Sequence, residues 1–323
     1  MKKRQYIVSV DAGGTKILAA LIDSDNKIIS RAKKSTDAKN GANAVIKRII
    51  ECIESTLIDS KVKANQLAAI VVGIPGSLNS QKGIVYLAPN LSWRNINVVN
   101  PIKRHFNIPT FIENDANLGA LGIHHFGLGK KYENLLGIFV GTGIGGGLIL
   151  NNKIYRGKSF AAGEIGHIVI NPKGEKCGCG NYGCFEAVAS RTAITREIKN
   201  AIKTGKKTVV TKLTNNYDLI KSGTLAAALK SNDKIVKKSL RSASETIGLV
   251  IGNMSNLLDL NAVVLAGGLI EAVGDFMLPV IRKSAEDVAL PQNFKGMKIL
   301  ISSLGDDAAL YGGIALAKEV GLF

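Results

Sequence analysis

YIVSVDAGGTKILAALID (Tyr6–Asp23) reads as strand, glycine turn, strand, and the rest of the chain repeats that plan. YIVSV (Tyr6–Val10) and KILAALID (Lys16–Asp23) are apolar and rich in β-branched residues, while DAGGT between them is turn-forming. KIISRAKKS (Lys27–Ser35), beyond the DSDN turn, adds a third strand and predicts a meander. Ala42–Ile58 then places Val45, Ile46, Ile49, Ile50, Ile53 and Leu57 on a helical period. LAAIVVGIPG (Leu67–Gly76) is a continuous apolar run closed by Gly and Pro, as expected of a buried central strand. A helix near Val98–Phe106, the strand TFIEN (Thr110–Asn114) and a helix from about Ala116 complete the cycle.

A second cycle follows. LLGIFVGTG (Leu135–Gly143) and GGLILNNKIYRG (Gly146–Gly157) read as paired strands with Asn151-Asn152 as the hairpin turn. A long helical region is expected from about Ala187 to Leu258, then strands in NAVVLAGGL and KILISSL, then a closing helix over Asp306–Val320. The repetition predicts an α/β fold of two lobes. We expect residues 1–115 with 306–323 to form a small lobe and residues 116–305 a large one, with no low-complexity linker between them and a cleft where they meet.

The 323 residues suffice for two lobes with ample core. A content of 46% hydrophobic and 21% charged residues is that of a soluble globular protein, and no apolar run reaches membrane-spanning length. MKKRQ leads straight into the first strand without the apolar stretch of a signal peptide. Three clustered cysteines and a lone Cys52 argue against a disulfide framework, so a cytoplasmic location is expected. Cys52 sits on the helical period and reads as a small core residue. The net charge is +17, and Thr195–Arg241 carries twelve Lys/Arg against three acids. That excess suits a solvated basic face or attraction for polyanions; with Tyr217 its only aromatic, a base-stacking surface is poorly supported.

Three glycine turns stand at strand ends: DAGGTK (Asp11–Lys16), GTGIGGG (Gly141–Gly147) and AGG (Ala266–Gly268). Amides freed of side chains at such turns point at phosphate oxygens, so together they predict a nucleotide cradle. Gly141, Gly143 and Gly146 also satisfy G-x-G-x-x-G, but that fingerprint requires a helix next and GGLILNNKI reads as strand. No GxxxxGK[ST] loop is present. TFIEN ends in Asn114 and Asp115. Asp115 there is equally a general base for a hydroxyl proton or a cap for the following helix. Asp11 either holds its turn or binds Mg²⁺ beside phosphates.

GEIGHIVINPKGEKCGCGNYGCFE (Gly163–Glu186) holds His167, Cys177, Cys179 and Cys184 in the spacing H-x9-C-x-C-x4-C. Three thiolates and an imidazole suit tetrahedral Zn²⁺, and four protein ligands leave no open coordination position, so the expectation is a structural zinc site. Cys177 and Cys179 flank one residue and are poorly placed to pair with each other.

Taken together and in this order, DAGGTK, GIPG (Gly73–Gly76), ENDAN (Glu113–Asn117), GTGIGGG, GEIGH, CGCGNYGCFE and AGG resemble the ROK family, within the sugar kinase, heat-shock ATPase and actin superfamily. The resemblance spans nearly the whole chain. It implies a two-lobed, actin-like (ribonuclease H-like) ATPase fold with sugar in the interlobe cleft and ATP–Mg²⁺ beside it. Asp115 matches the family's general base, and Asn114, Glu164, His167 and Glu186 match groups that bond the sugar's hydroxyls, with Gly76 and Asn90 as cleft-lining residues. His167 then serves zinc with one ring nitrogen and sugar with the other. Asp11, Gly13, Gly14, Thr15, Lys16, Gly141, Thr142 and Gly143 match the phosphate and metal positions, and Gly267 and Gly268 lie nearer the adenosine. The implied activity is phosphorylation of a hexose 6-hydroxyl, glucose foremost, with fructose, mannose or an N-acetylhexosamine as alternatives and polyphosphate as an alternative donor. The family's repressors carry a helix-turn-helix ahead of this region; DAGGTK begins at position 11, which favours kinase over a sugar-responsive regulator. A homodimer or homotetramer is expected, with no specific nucleic-acid partner and no membrane.

Overall fold

The computed structural model describes residues 5–323. Strands β1 (Tyr6–Ala12), β2 (Lys16–Asp23) and β3 (Ile28–Ser35) form the expected antiparallel meander, and helix α1 (Ala42–Ser60) returns the chain to β4 (Leu67–Ile74), which runs parallel to β1. α1 buries Val45, Ile46, Ile49, Cys52, Ile53 and Leu57, the stripe that its sequence period defines. Burying each such aliphatic side chain stabilises by roughly 1.5–3 kcal/mol. β4 is buried along its whole length, as a strand flanked on both sides must be.

Next comes a small sheet that the sequence did not announce, β5 (Ser77–Asn79), β6 (Ile84–Ala88) and β7 (Trp93–Asn97), in the order β5-β6-β7. Its strands are short, and adjacent Tyr86 and Leu87 on β6 are both exposed, so no strict alternation marks them; Trp93 and Val85 anchor it in the core. Helix α2 (Val99–Phe106) precedes β8 (Thr110–Asn114), and helix α3 (Asp115–Phe126) follows directly. The first sheet is ordered β3-β2-β1-β4-β8.

β9 (Leu135–Val140), β10 (Ile144–Leu150) and β11 (Lys153–Ile154) open the second sheet. Asn151 and Asn152, at φ 52° and 62°, make the β10–β11 turn as expected. The anticipated single helical region is broken into α4 (Phe185–Ala189), α5 (Arg191–Lys203), α6 (Val210–Leu213), α7 (Ser222–Lys230) and α8 (Lys234–Leu258). Gly205 and Asn232, both at positive φ, break the helical run, and Asp233 caps α8 through its carboxylate. β12 (Ala262–Ala266), α9 (Gly268–Val288), α10 (Pro291–Phe294), β13 (Lys298–Ile301) and α11 (Asp307–Glu319) finish the chain. The second sheet, β11-β10-β9-β12-β13, repeats the chain order of the first.

The chain divides into two compact units, residues 1–131 with 147–163 and 306–323, and residues 132–146 with 164–305. A division after residue 115 would sever α3 from α11. Those helices touch backbone to backbone, because a Cβ on Gly122 would lie 1.9 Å from the Ala308 carbonyl and one on Gly312 would lie 1.8 Å from that of Leu118. Residues 147–163 stay with the same unit: Gly147 sits so close to α3 that a Cβ there would lie 2.7 Å from the Ala116 carbonyl. No helix among the described residues is long and apolar enough to cross a membrane.

Candidate active site and metal centre

In the first unit the sequence-predicted residues gather at the ends of β1, β4 and β8. Asn114 is the N-cap of α3: its side-chain oxygen accepts from the Asn117 amide at 3.1 Å, and its side-chain nitrogen donates to the Gly76 carbonyl at 3.2 Å. Asp115 is the first helical residue. The capping role that the sequence offered to Asp115 therefore belongs to Asn114, and the Asp115 carboxylate stands at the positive end of the helix dipole.

The DAGGTK turn lies in the same unit. The Gly13 amide donates to the Lys16 carbonyl at 3.0 Å, the Thr36 hydroxyl donates to the Gly13 carbonyl at 2.6 Å, and the Thr36 amide donates to the Thr15 carbonyl at 3.0 Å. Gly14 lies against Asn90; a Cβ there would meet the Asn90 carbonyl at 3.0 Å. Lys16 forms an ion pair with Asp306, the N-cap of α11. Burial, then the neighbouring Asp115 charge, pushes the Asp11 carboxyl up from 3.8 to about 7, with Lys16 opposing and Asp306 adding. Such a crowd of carboxylates suits a hard divalent cation, which takes oxygen ligands and would relieve the repulsion.

In the second unit, Gly141, Thr142 and Gly143 join β9 to β10. The loop closes with the Gly141 amide donating to the Gly143 carbonyl at 2.9 Å, and α5 holds it from behind. The Arg191 amide donates to the Gly141 carbonyl at 3.0 Å, the Thr192 hydroxyl to the Thr142 carbonyl at 2.7 Å, and the Arg191 guanidinium to the Thr142 hydroxyl at 2.6 Å. The same guanidinium reaches the Ser222 hydroxyl at 3.4 Å. Arg191 was absent from the sequence reading, because only the fold brings a residue fifty positions downstream onto the loop. Gly267, at φ 93°, caps α9, whose first residue is Gly268. Its tight turn presents the N-terminus of a long helix, a natural seat for negative charge.

Glu186, on the first turn of α4, accepts from the Ile144 amide at 2.9 Å. A Cβ on Gly143 would lie 2.1 Å from that carboxylate, so glycine is what lets the loop close over it. Glu164 stands before the single turn Ile165–His167, and its carboxyl is raised, mainly by burial, with His167 opposing and Glu186 adding. His167 divides its ring between two neighbours: Nδ1 is 3.7 Å from the Cys177 sulfur, and Nε2 is 3.9 Å from the Glu164 carboxylate.

The cysteine loop is a knuckle. The Cys177 amide donates to the Asn181 carbonyl at 2.7 Å and the Gly180 amide to the Cys177 carbonyl at 3.0 Å, with Gly180 and Gly183 at positive φ. The ligand atoms of His167, Cys177, Cys179 and Cys184 all lie within 4.8 Å of one another, and the Cys179 and Cys184 sulfurs are 3.7 Å apart. A tetrahedral ion with bonds of about 2.3 Å to sulfur and about 2.0 Å to nitrogen sets its ligands about 3.5–3.8 Å apart, so the set fits zinc. All four cysteines are free thiols. Burial pushes the Cys184 thiol up to about 12 and Cys177 up as well, whereas the Asn181 amide holds exposed Cys179 below its ordinary value. Zinc would supply the positive charge that deprotonates them.

A ROK family model matches residues 7–320. A glucokinase of Halalkalibacterium halodurans is 31% identical over 320 residues, 99% of this chain and 96% of that protein. A xylose repressor of Caldicellulosiruptor bescii is 29% identical over 310 residues, 96% of this chain and 77% of that protein. Among solved structures, a ROK family glucokinase from Streptomyces griseus in complex with glucose and AMPPNP gives a TM-score of 0.86 at 30% identity, covering 97% of this chain and 99% of that one. The fold is thus the actin-like ATPase fold of those kinases. With a match that runs from the first strand to the last helix, the chain belongs to the ROK family.

Proposed function

We propose that the chain is an ATP-dependent sugar kinase that phosphorylates the 6-hydroxyl of a hexose, glucose foremost. The observation that carries this reading is Asp115 at the start of α3, just behind the Asn114 cap and next to Asp11 in the electrostatics of the same unit. The glucokinase likeness over the full chain supports it.

In this reading Asp115 accepts the proton of the 6-hydroxyl as that oxygen forms its bond to the γ-phosphorus. The bond from the γ-phosphorus to the bridging oxygen breaks, and ADP leaves with that electron pair. Catalysis is chiefly positioning and charge stabilisation. Asn114, Glu164, His167 and Glu186 hold the other hydroxyls, with Gly76 and Asn90 alongside. Amides of Gly13, Gly14, Thr15, Gly141, Thr142 and Gly143, with Lys16, cradle the phosphates, and Gly267 and Gly268 lie toward the adenosine. Asp11 would help hold Mg²⁺, whose charge neutralises the triphosphate. His167, Cys177, Cys179 and Cys184 would hold a structural zinc that fixes the angle of Glu164 and Glu186.

The test is transfer of phosphate from ATP to a panel of hexoses by the wild type and by Asp115→Asn. A second reading, a sugar-responsive regulator, takes its support from the xylose repressor likeness. It predicts no transfer to any sugar and DNA retention that responds to sugar in a gel shift.

A further inference from the structure

Glu113, the residue before the cap of α3, points a carboxylate into the protein with only 1% of its side chain exposed. An ionised carboxylate in that position is expensive unless every lone pair is matched. Here the matching is dense. One carboxylate oxygen accepts the Asn114 amide at 2.9 Å and the Asn117 side-chain amide at 3.1 Å; the other accepts from Arg156 Nε at 2.6 Å. A core aliphatic side chain would fill the same end of β8 without the desolvation cost, so stability alone does not account for the network.

Three features give that geometry a purpose. Glu113 grips the backbone of Asn114 and, through Asn117, the first turn of α3, so it brackets Asp115 on both sides in sequence. Asn114 in turn caps α3 and bonds Gly76, which fixes the turn from its other face. Arg156, the cation, comes from the segment just after the β10–β11 hairpin, eight residues ahead of Glu164. The Glu319 carboxylate, raised mainly by burial, feels the Arg156 charge as a stabilising neighbour and Glu113 as a repelling one, so a second acid stands within electrostatic reach of the pair.

We propose that Arg156 is a positioning residue for Asp115. Acting through Glu113, it locks the β8–α3 turn so that the carboxylate meets the sugar hydroxyl in a single orientation. The inference rests on the kinase reading for its catalytic consequence, but the lock itself has a readout that needs no activity.

The experiment compares the full-length wild type with Arg156→Lys, Arg156→Met and the double variant Glu113→Gln/Arg156→Met, which removes both charges together. Arg156→Met is expected to lower kcat 10- to 100-fold while the Kd for glucose and the KM for ATP change less than threefold. Arg156→Lys should recover part of the loss, since it restores the charge but not the directed Nε–H. In the double variant the Tm should return toward wild type while kcat stays low, which separates positioning from folding. By amide hydrogen exchange, the Asn114 and Asn117 amides should open at least tenfold faster in Arg156→Met. A double variant with wild-type kcat, or an Arg156→Met protein with unchanged kcat and exchange, would overturn the proposal. If the wild type phosphorylates no sugar, the kinase reading fails, and the exchange measurement still decides whether Arg156 locks the turn.

Discussion

Asp11→Asn should make the metal-free protein more stable at pH 8 and catalytically poor. The Asp11 carboxyl is raised from 3.8 to about 7, first by burial and then by the Asp115 charge. Well below pH 3.8 both the folded and the unfolded chains keep the proton, and the group contributes nothing. As pH rises from 3.8 toward 7 the unfolded chain releases its proton and the folded chain does not, so stability falls across that window and levels off above it. At about 1.4 kcal/mol per tenfold difference in proton affinity, the loss reaches about 4 kcal/mol. Asp11 keeps part of its surface open, so solvent relaxes the penalty and about 4 kcal/mol is an upper bound. The substitution removes the titrating group at almost constant shape. Urea unfolding of wild type and variant at pH 4 and pH 8 measures it: the variant's relative stability should improve by about 1–4 kcal/mol between the two pH values. A difference that is the same at both pH values would refute the reasoning, because the penalty could not then lie in the ionised carboxylate.

Two further outcomes follow from the second unit. Cys179→Ser replaces a thiolate with a poor zinc ligand; metal content by atomic absorption should drop, and the KM for glucose should rise at least tenfold as Glu164, His167 and Glu186 lose their common anchor. Arg191→Ala frees Thr142 and loosens the Gly141–Gly143 loop, so the KM for ATP should rise about tenfold, with the calorimetric Kd for glucose within threefold of wild type.

Much of the fold was legible because β-structure announces itself through turns. DAGGT, Asn151-Asn152 and the GTG loop each punctuate apolar strands, and both sheets appear where those signals fall. The β5–β7 sheet left no such trace, since its strands are short and the adjacent exposed pair Tyr86 and Leu87 breaks the alternation of the central one. The division into units 1–131 with 147–163 and 306–323, and 132–146 with 164–305, likewise has no local signal. Contact between α3 and α11 depends on Gly122 meeting Ala308 and Gly312 meeting Leu118, pairs nearly two hundred residues apart. At the site, the cysteine spacing sufficed to predict four ligand atoms gathered within 4.8 Å. The competition between cap and base at Asp115 needed coordinates, because only they assign the cap to Asn114. Arg191 and Arg156 escaped notice because a lone arginine carries no local signal. Each takes its meaning from a partner about fifty and forty positions away, Thr142 and Glu113.

The central claim is that Asp115 takes a proton from a hexose during transfer from ATP. Its most direct test is kcat/KM for wild type and Asp115→Asn, measured with ATP–Mg²⁺ across glucose, fructose, mannose and N-acetylhexosamines, with glucose binding followed by calorimetry. The account predicts the highest value for wild type on glucose and a fall of about 10²–10⁴-fold in the variant, with glucose affinity largely kept. An Asp115→Asn enzyme within tenfold of wild type, or a wild type that phosphorylates none of these sugars, would contradict it.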